Sequence, residues 1–489
     1  MASKALACFA LLQGITFAST CDMDVDCVGV KLCEEGACIA APDCDLSAIE
    51  INTTLNQVRG GRCRTTLEQI RIADPDAVSK EGDVFTLNKR LWIRDGSVLE
   101  IHGGAAAASP NETVSQLRMK SGEDFAAKII AWHGKISINS TSITSWDATV
   151  DGPDARAVES GRAFIAALSS EASSGTVFES RMDVQGSEIS YLGNAGDYHN
   201  DTDHDYGLVW KVKGYDDRYP EDGDLGLFER IGVYGILEGN DIHHNYMGAY
   251  CYGMKGDMVW SNNEIYNNTL NGINPQDNSD GMKIHGNHVH DNGWHGIEYS
   301  KRCLGAEVYN NRVEDNARAG IFFHRSTDGA IAYNNTCKGN LEGDFGIVES
   351  FDVKVYDNVM VGGKYGIRLS LGAENCEVYG NRMLNSSRYG VFFYMGSDEP
   401  EASVDGRPRN NTIRNNFISN PAEGKGVAVK ESDDNFILDN TFELIDTLRF
   451  DDSFNTLVAG NILPDGVSFD LENDATLAEG SQEPTDDDE

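Results

Sequence analysis

An asparagine recurs every 23 or 24 residues through the middle of this chain, and few folds accept a period of that length. The residues are Asn240, Asn263, Asn287, Asn311, Asn335, Asn358 and Asn381, and the series resumes at Asn416, Asn440 and Asn461. A second landmark trails the first eight by 8 to 11 residues, a glycine before an apolar residue: Gly248, Gly272, Gly296, Gly320, Gly346, Gly366, Gly390 and Gly426. Between the landmarks, runs such as "KIHGNHV" and "GIEYS" alternate apolar and polar, which is strand periodicity. So short a period lacks a helical half and is too brief for a propeller blade. It fits one coil of a parallel β-helix, three short strands with tight turns, stacked on the last coil at about 4.8 Å. Winding is right-handed, as parallel crossovers are. The expected fold class is therefore all-β, a right-handed parallel β-helix over residues 80–465, with equivalent asparagines stacked and buried in the turns.

The period is looser upstream, where "LWIRDGSVLEIHG" and "KISINSTSITSWD" still alternate. The gap from Asn381 to Asn416 is 35 residues, so "GSDEPEASVDGRPRN" contains an insertion of the kind that flanks binding grooves. A second insertion, "KGYDDRYPEDGDLG", lies at residues 213–226.

The chain opens with Lys4, an apolar run and small residues near Ala18, the layout of a signal peptide over residues 1–19. No stretch reaches the length of an apolar membrane span. Of 11 cysteines, Cys8 lies in that leader and six fall between Cys21 and Cys63. In an exported chain these imply disulfides in a small segment over residues 20–64, with pairing open, and regular C-x2-C zinc pairs are missing. Cys251, Cys303, Cys337 and Cys376 join the same expectation. Sequons begin at Asn52, Asn111, Asn139, Asn200, Asn267, Asn334, Asn385 and Asn410. The reading is a secreted, monomeric glycoprotein of the extracellular space or cell wall, with an acidic, disordered tail over residues 473–489.

A net charge of -38 excludes nucleic acid as the main partner. A polyanionic substrate would need a local basic track. Aligned on the glycines, the second residue of each coil strand reads Tyr250, Asn274, Glu298, Phe322, Val348, Arg368 and Phe392. The fourth reads Tyr252, Gln276, Ser300, His324, Ser350, Ser370 and Tyr394. Both rows should point outward, because the first position is apolar. Lys255, Lys301, Arg302, Arg325 and Arg368 lie in or just beyond them. These rows describe a groove for an extended acidic chain, with aromatics for sugar rings and cations for carboxylates.

The stretch "NGINPQDNSDGMKIHGNHVHDNGWHGIEYSKRC" resembles the mannuronan C5-epimerases, the alginate-modifying family of bacteria and brown algae. Members carry a G-[IF]-D-P-H-[DE] segment, followed one coil later by H-G-I-I-x-S-[KR]-R. The likeness spans about residues 80–465 and is densest from 160 to 330. It implies conversion of β-D-mannuronate to α-L-guluronate in an acidic polysaccharide of alginate type. The second segment is present as His295, Ser300, Lys301 and Arg302. The first departs: Asn274-Pro275-Gln276 stands where the family has Asp-Pro-His, and only Asp277 follows it.

Epimerisation removes the proton next to a uronate carboxylate and returns one to the opposite face. The carboxylate charge must be offset, by Lys301, Arg302 or an amide such as Asn274. A base is also required, and Gln276 accepts no proton. The substitutes are Tyr252, one coil away, and His295 beside the motif; His324 is two coils away. The same enolate intermediate can expel the 4-linked sugar, so a polyuronate lyase is a second reading. A binding protein that has lost its base is a third. His288 and His290 fall on one face with His285 nearby, and read as strand residues rather than metal ligands. Many acids would suit Ca2+, but no nonapeptide repeat is present, so no cofactor is assigned.

Overall fold

The computed structural model describes residues 21, 23–156, 161–195, 206–213, 226–255, 258–420 and 425–482. The leader, most of the 213–226 insertion, the sequon at Asn200 and the end of the acidic tail lie outside them. The architecture is a right-handed parallel β-helix. Coils of three strands build three long sheets, two of them of 14 and 15 strands. One coil shows the plan: Lys283–His285, His288–His290 and Ile297–Ser300. Each strand pairs in parallel with its counterpart one coil on, as Lys283 with Glu307, His288 with Arg312 and Ile297 with Ile321.

The asparagines explain why the corners hold. Asn311 Oδ1 accepts both the backbone N–H and the Nδ2 of Asn287, each at 3.0 Å. Asn311 Nδ2 donates to Ile284 O at 2.9 Å, and its own N–H passes to Asn335 Oδ1. The unit repeats from Asn240 to Asn461, so corner backbone groups that no strand can pair are satisfied inside. The preceding residue takes positive φ, 55° at Asn310 and 67° at Gly286, which Asn and Gly tolerate best. A second ladder runs along the next corner through Asn245, Asn268, Asn292, Asn316 and Asn340. Its 23- and 24-residue spacing was equally visible in the sequence and went unread.

Ile273, Ile297, Ile321, Phe345, Ile367 and Val391 form one inward column, none more than 1% exposed. Parallel pairing starts earlier than residue 80, at Leu55–Val58 against Arg90–Arg94, and continues to Ser468–Glu472. The helix Leu67–Ala73 buries Leu67 and Ile70 over the N-terminal end, where an open edge would otherwise invite pairing with another chain. Its start is fixed by a capping box between Thr66 and Gln69.

The N-terminal segment carries three disulfides, Cys21–Cys33, Cys27–Cys38 and Cys44–Cys63. Buried Lys135 ties it to the helix by donating to the carbonyls of Asp24, Cys27 and Lys31. Disulfides do not extend to the other four cysteines. Cys251, Cys303, Cys337 and Cys376 are buried free thiols that act as small apolar side chains.

One alignment needs correction. Gly320 sits opposite Asp344, not Gly346, because Ile321 pairs with Phe345. The second row therefore passes from Phe322 through Gly346 to Arg368, and the fourth from His324 through Val348 to Ser370. Ser350 is outside it. A strand that carries glycine at both Gly343 and Gly346 offers two false anchors.

Candidate active site

Glu298, on the strand Ile297–Ser300, and His324, at the end of Ala319–His324, lie on neighbouring coils. They share a cavity of about 390 Å³ with His295, Phe322 and Arg368. The second and fourth rows converge here, one coil past the Asn-Pro-Gln segment. Trp294 and Arg318 stand at the rim, and the 396–398 stretch of the insertion closes one side.

Glu298 Oε1 is 3.9 Å from His324 Nδ1, and Oε2 accepts from Asn271 Nδ2 at 2.7 Å. Burial raises the Glu298 carboxyl to about 7, against smaller opposing effects from Asn271 and Arg318. It therefore holds its proton below about pH 7. His324 is pushed the other way, to about 3, by burial and then by Arg325, Lys301 and Arg368. Its imidazole is neutral, and Nδ1 lies 3.2 Å from Ser300 Oγ. In the tautomer that donates Nδ1–H to Ser300, Nε2 is the open lone pair.

Arg368 lies over Phe322 at 5.5 Å and Tyr394 at 5.9 Å, with no ion pair among the described residues. A guanidinium presented by aromatic rings without a carboxylate partner suits an incoming anion. Lys301 sits in the turn beside His324, at φ 60°.

Other predicted residues are placed elsewhere. His295 is buried and stacks on Phe322, and its Nδ1 accepts the Ala319 N–H at 3.0 Å. The neutral ring then carries its proton on Nε2, which makes it a donor rather than a base. Tyr252 is 2% exposed, with its ring against Phe228 and Lys211. Tyr250 is buried and donates from its hydroxyl to Gln276 Oε1 at 2.8 Å. Asn274 is buried and donates to Glu298 O at 3.0 Å, so its amide braces the strand.

Three of the five cations are committed to structure. Arg302 pairs with Asp277, which is fully buried. Arg325 binds the insertion through Glu401 and the Glu399 carbonyl. Beside it, Glu349 Oε1 accepts three consecutive backbone N–H groups, from Glu401, Ala402 and Ser403. Lys255 turns off the face and donates to Glu229 O.

Trp294 and Arg318 were missed by sequence reasoning. Each stands two residues before a landmark glycine, and they stack across one coil with the guanidinium 3.3 Å from the indole centre. Extending the alignment two residues back would have found them. His285 is separated from His288 and His290 by the corner at Gly286 and Asn287.

The profile of the "Right handed beta helix region" family matches residues 220–336 and 305–406. No curated protein matches. Among solved structures, the periplasmic alginate epimerase AlgG superposes with TM-score 0.64 at 16% identity, over 86% of this chain and 85% of that one. A single-substitution mutant of AlgG gives 0.66 at 17%, over 80% and 85%. The pre-mature bacteriophage phi29 gene product 12 gives 0.52 at 12%, over 82% of this chain and 53% of that one. At these identities the likeness establishes the fold.

Proposed function

We propose that this is an exported polyuronate-modifying enzyme of the mannuronan C5-epimerase type. On this reading it converts β-D-mannuronate to α-L-guluronate in an alginate-like polymer. The observation that carries it is one cavity that brings together a buried carboxyl, an imidazole and a guanidinium with no ion pair among the described residues: Glu298, His324 and Arg368. The likeness to AlgG in fold and the three N-terminal disulfides are consistent with it.

Arg368 and the protonated Glu298 face the uronate carboxylate and offset its charge, so that the proton beside it can leave. His324 Nε2 takes that proton. The bound polyanion compensates the three cations that depress the imidazole, and its basicity rises when substrate arrives. Water returns a proton to the opposite face of the sugar. Ser300 orients the ring, and the partly exposed Trp294 supplies apolar surface for a neighbouring sugar.

A non-catalytic polysaccharide-binding protein is favoured by one observation, that Gln276 stands where the resemblance implies the base. Incubation of polymannuronate with the purified chain, followed by proton NMR, separates the readings. New guluronate signals support the epimerase, unsaturated chain ends mean a lyase, and binding without either means a binding protein. No change and no binding would overturn the whole proposal.

A further inference from the structure

Away from the cavity, on the 15-stranded sheet, Glu264, His288 and His290 bring ligand atoms within 4.8 Å of one another. Glu264 Oε1 is 3.7 Å from His288 Nδ1 and 3.4 Å from His290 Nε2. Four ligands around a zinc ion at about 2.0–2.1 Å are separated by about 3.3–3.4 Å, close to the two Glu264 separations, and a rotation of the stacked imidazoles would turn their nitrogens onto one ion. The second nitrogen of each imidazole also faces a carboxylate. His290 Nδ1 is 2.7 Å from Asp291 Oδ2, and His288 Nε2 is 3.5 Å from Glu314 Oε2. Glu314 is in turn held by Arg312 at 2.7 Å. The Asp291 contact favours the tautomer of His290 whose inner nitrogen carries the lone pair, and Glu314 stands within a short shift of doing the same for His288, the usual outer support of a metal-bound histidine.

We propose that Glu264, His288 and His290 form a binding site for a divalent transition-metal ion of the zinc type, with water completing the coordination. Asp291 and Glu314 are its positioning residues. The ligands come from two successive coils, Glu264 opposite His288, and Glu314 supports them from the third, opposite His290. An ion here staples the coils together on a face separate from the cavity. Two nitrogens and one carboxylate select zinc over calcium, which prefers an all-oxygen shell.

The test uses the full chain, purified without a histidine tag, stripped with EDTA and titrated with Zn2+ by calorimetry. One ion per chain is expected, with an increase in the thermal unfolding midpoint. His288→Ala with His290→Ala should weaken binding at least about 100-fold, and Glu314→Gln or Asp291→Asn about 10- to 100-fold. Ca2+ should not compete. Circular dichroism of the EDTA-treated variants checks that the fold is kept; if the double histidine variant fails to fold, Glu264→Gln supplies the same readout. Absence of stoichiometric zinc, or binding that survives loss of both histidines or of Glu264, overturns the proposal.

Discussion

Glu298 Oε1 and His324 Nδ1 face each other across one coil step at 3.9 Å, and burial drives their proton affinities in opposite directions. Below about pH 7 the acid keeps its proton, and the imidazole does without one. In water at neutral pH the carboxyl would be ionised, and a fraction of the imidazole would be charged.

Turnover should therefore fall as pH rises above about 7, where Glu298 loses its proton. Glu298→Gln keeps a hydrogen-bond donor and should flatten that alkaline limb while lowering the plateau. The check is kcat/KM on polymannuronate from pH 5 to about 9. An unchanged alkaline limb in Glu298→Gln would take the residue out of the reaction.

Stability carries the same signature. The folded chain keeps the Glu298 proton that an unfolded chain releases near the ordinary value of 4.5, so this contribution is lost as pH rises from 4.5 to about 7. His324 acts oppositely: its contribution is lost as pH falls from the ordinary 6.5 towards about 3. Urea midpoints should show Glu298→Gln gaining on the parent chain with rising pH, and His324→Gln gaining with falling pH.

His324→Ala should cut epimerisation at least about 100-fold, the usual size of a lost general base. Gln276→Ala should leave it little changed, since the amide takes no proton and only accepts from Tyr250. The reverse ranking, read by guluronate NMR, would move the chemistry back to the Asn-Pro-Gln segment.

Arg302→Ala removes the guanidinium that faces the buried Asp277 carboxylate. Breaking such a pair costs about 3 kcal/mol or more, seen as a lower urea midpoint. Arg302→Met with Asp277→Asn should recover most of it. A variant that keeps full stability but loses polymer binding would return Arg302 to the groove.

Asn311→Ala removes the acceptor of the Asn287 N–H and the side-chain donor to the carbonyl of Ile284, while Asn287 Nδ2 keeps the carbonyls of Trp260 and His285. At about 1–3 kcal/mol for each unsatisfied buried group, it should be among the most damaging single changes in the chain. Asn310→Ala, one residue earlier and exposed at φ 55°, should cost only about 1–2 kcal/mol. Parallel urea melts compare the two.

The coil repeat was legible because each ladder asparagine answers a local need, the unpaired backbone of a corner, and that need recurs with every turn. The outward rows were legible through Ile273, Ile297 and Ile321, which fix the alternation. The states of Glu298 and His324 were not, because both depend on burial contributed by several coils and by a loop distant in sequence. The commitments of Arg302 and Arg325 were hidden for the same reason: their partners, Asp277 and Glu401, lie 25 and 76 positions away. A count of cations along a row cannot say which are already paired.

Asn381 passes its N–H to Asn416 Oδ1 at 3.0 Å across 35 residues, with the same geometry as links spanning 23 or 24. The corner is blind to how much chain was spent between its steps. Lengthening by mutation can thus accumulate wherever a coil leaves the ladder and rejoins it, without disturbing coils above or below. The wall over the cavity is built from such a detour. Chains with the same coils can thus differ widely in the shape of this cavity, through changes confined to one bend.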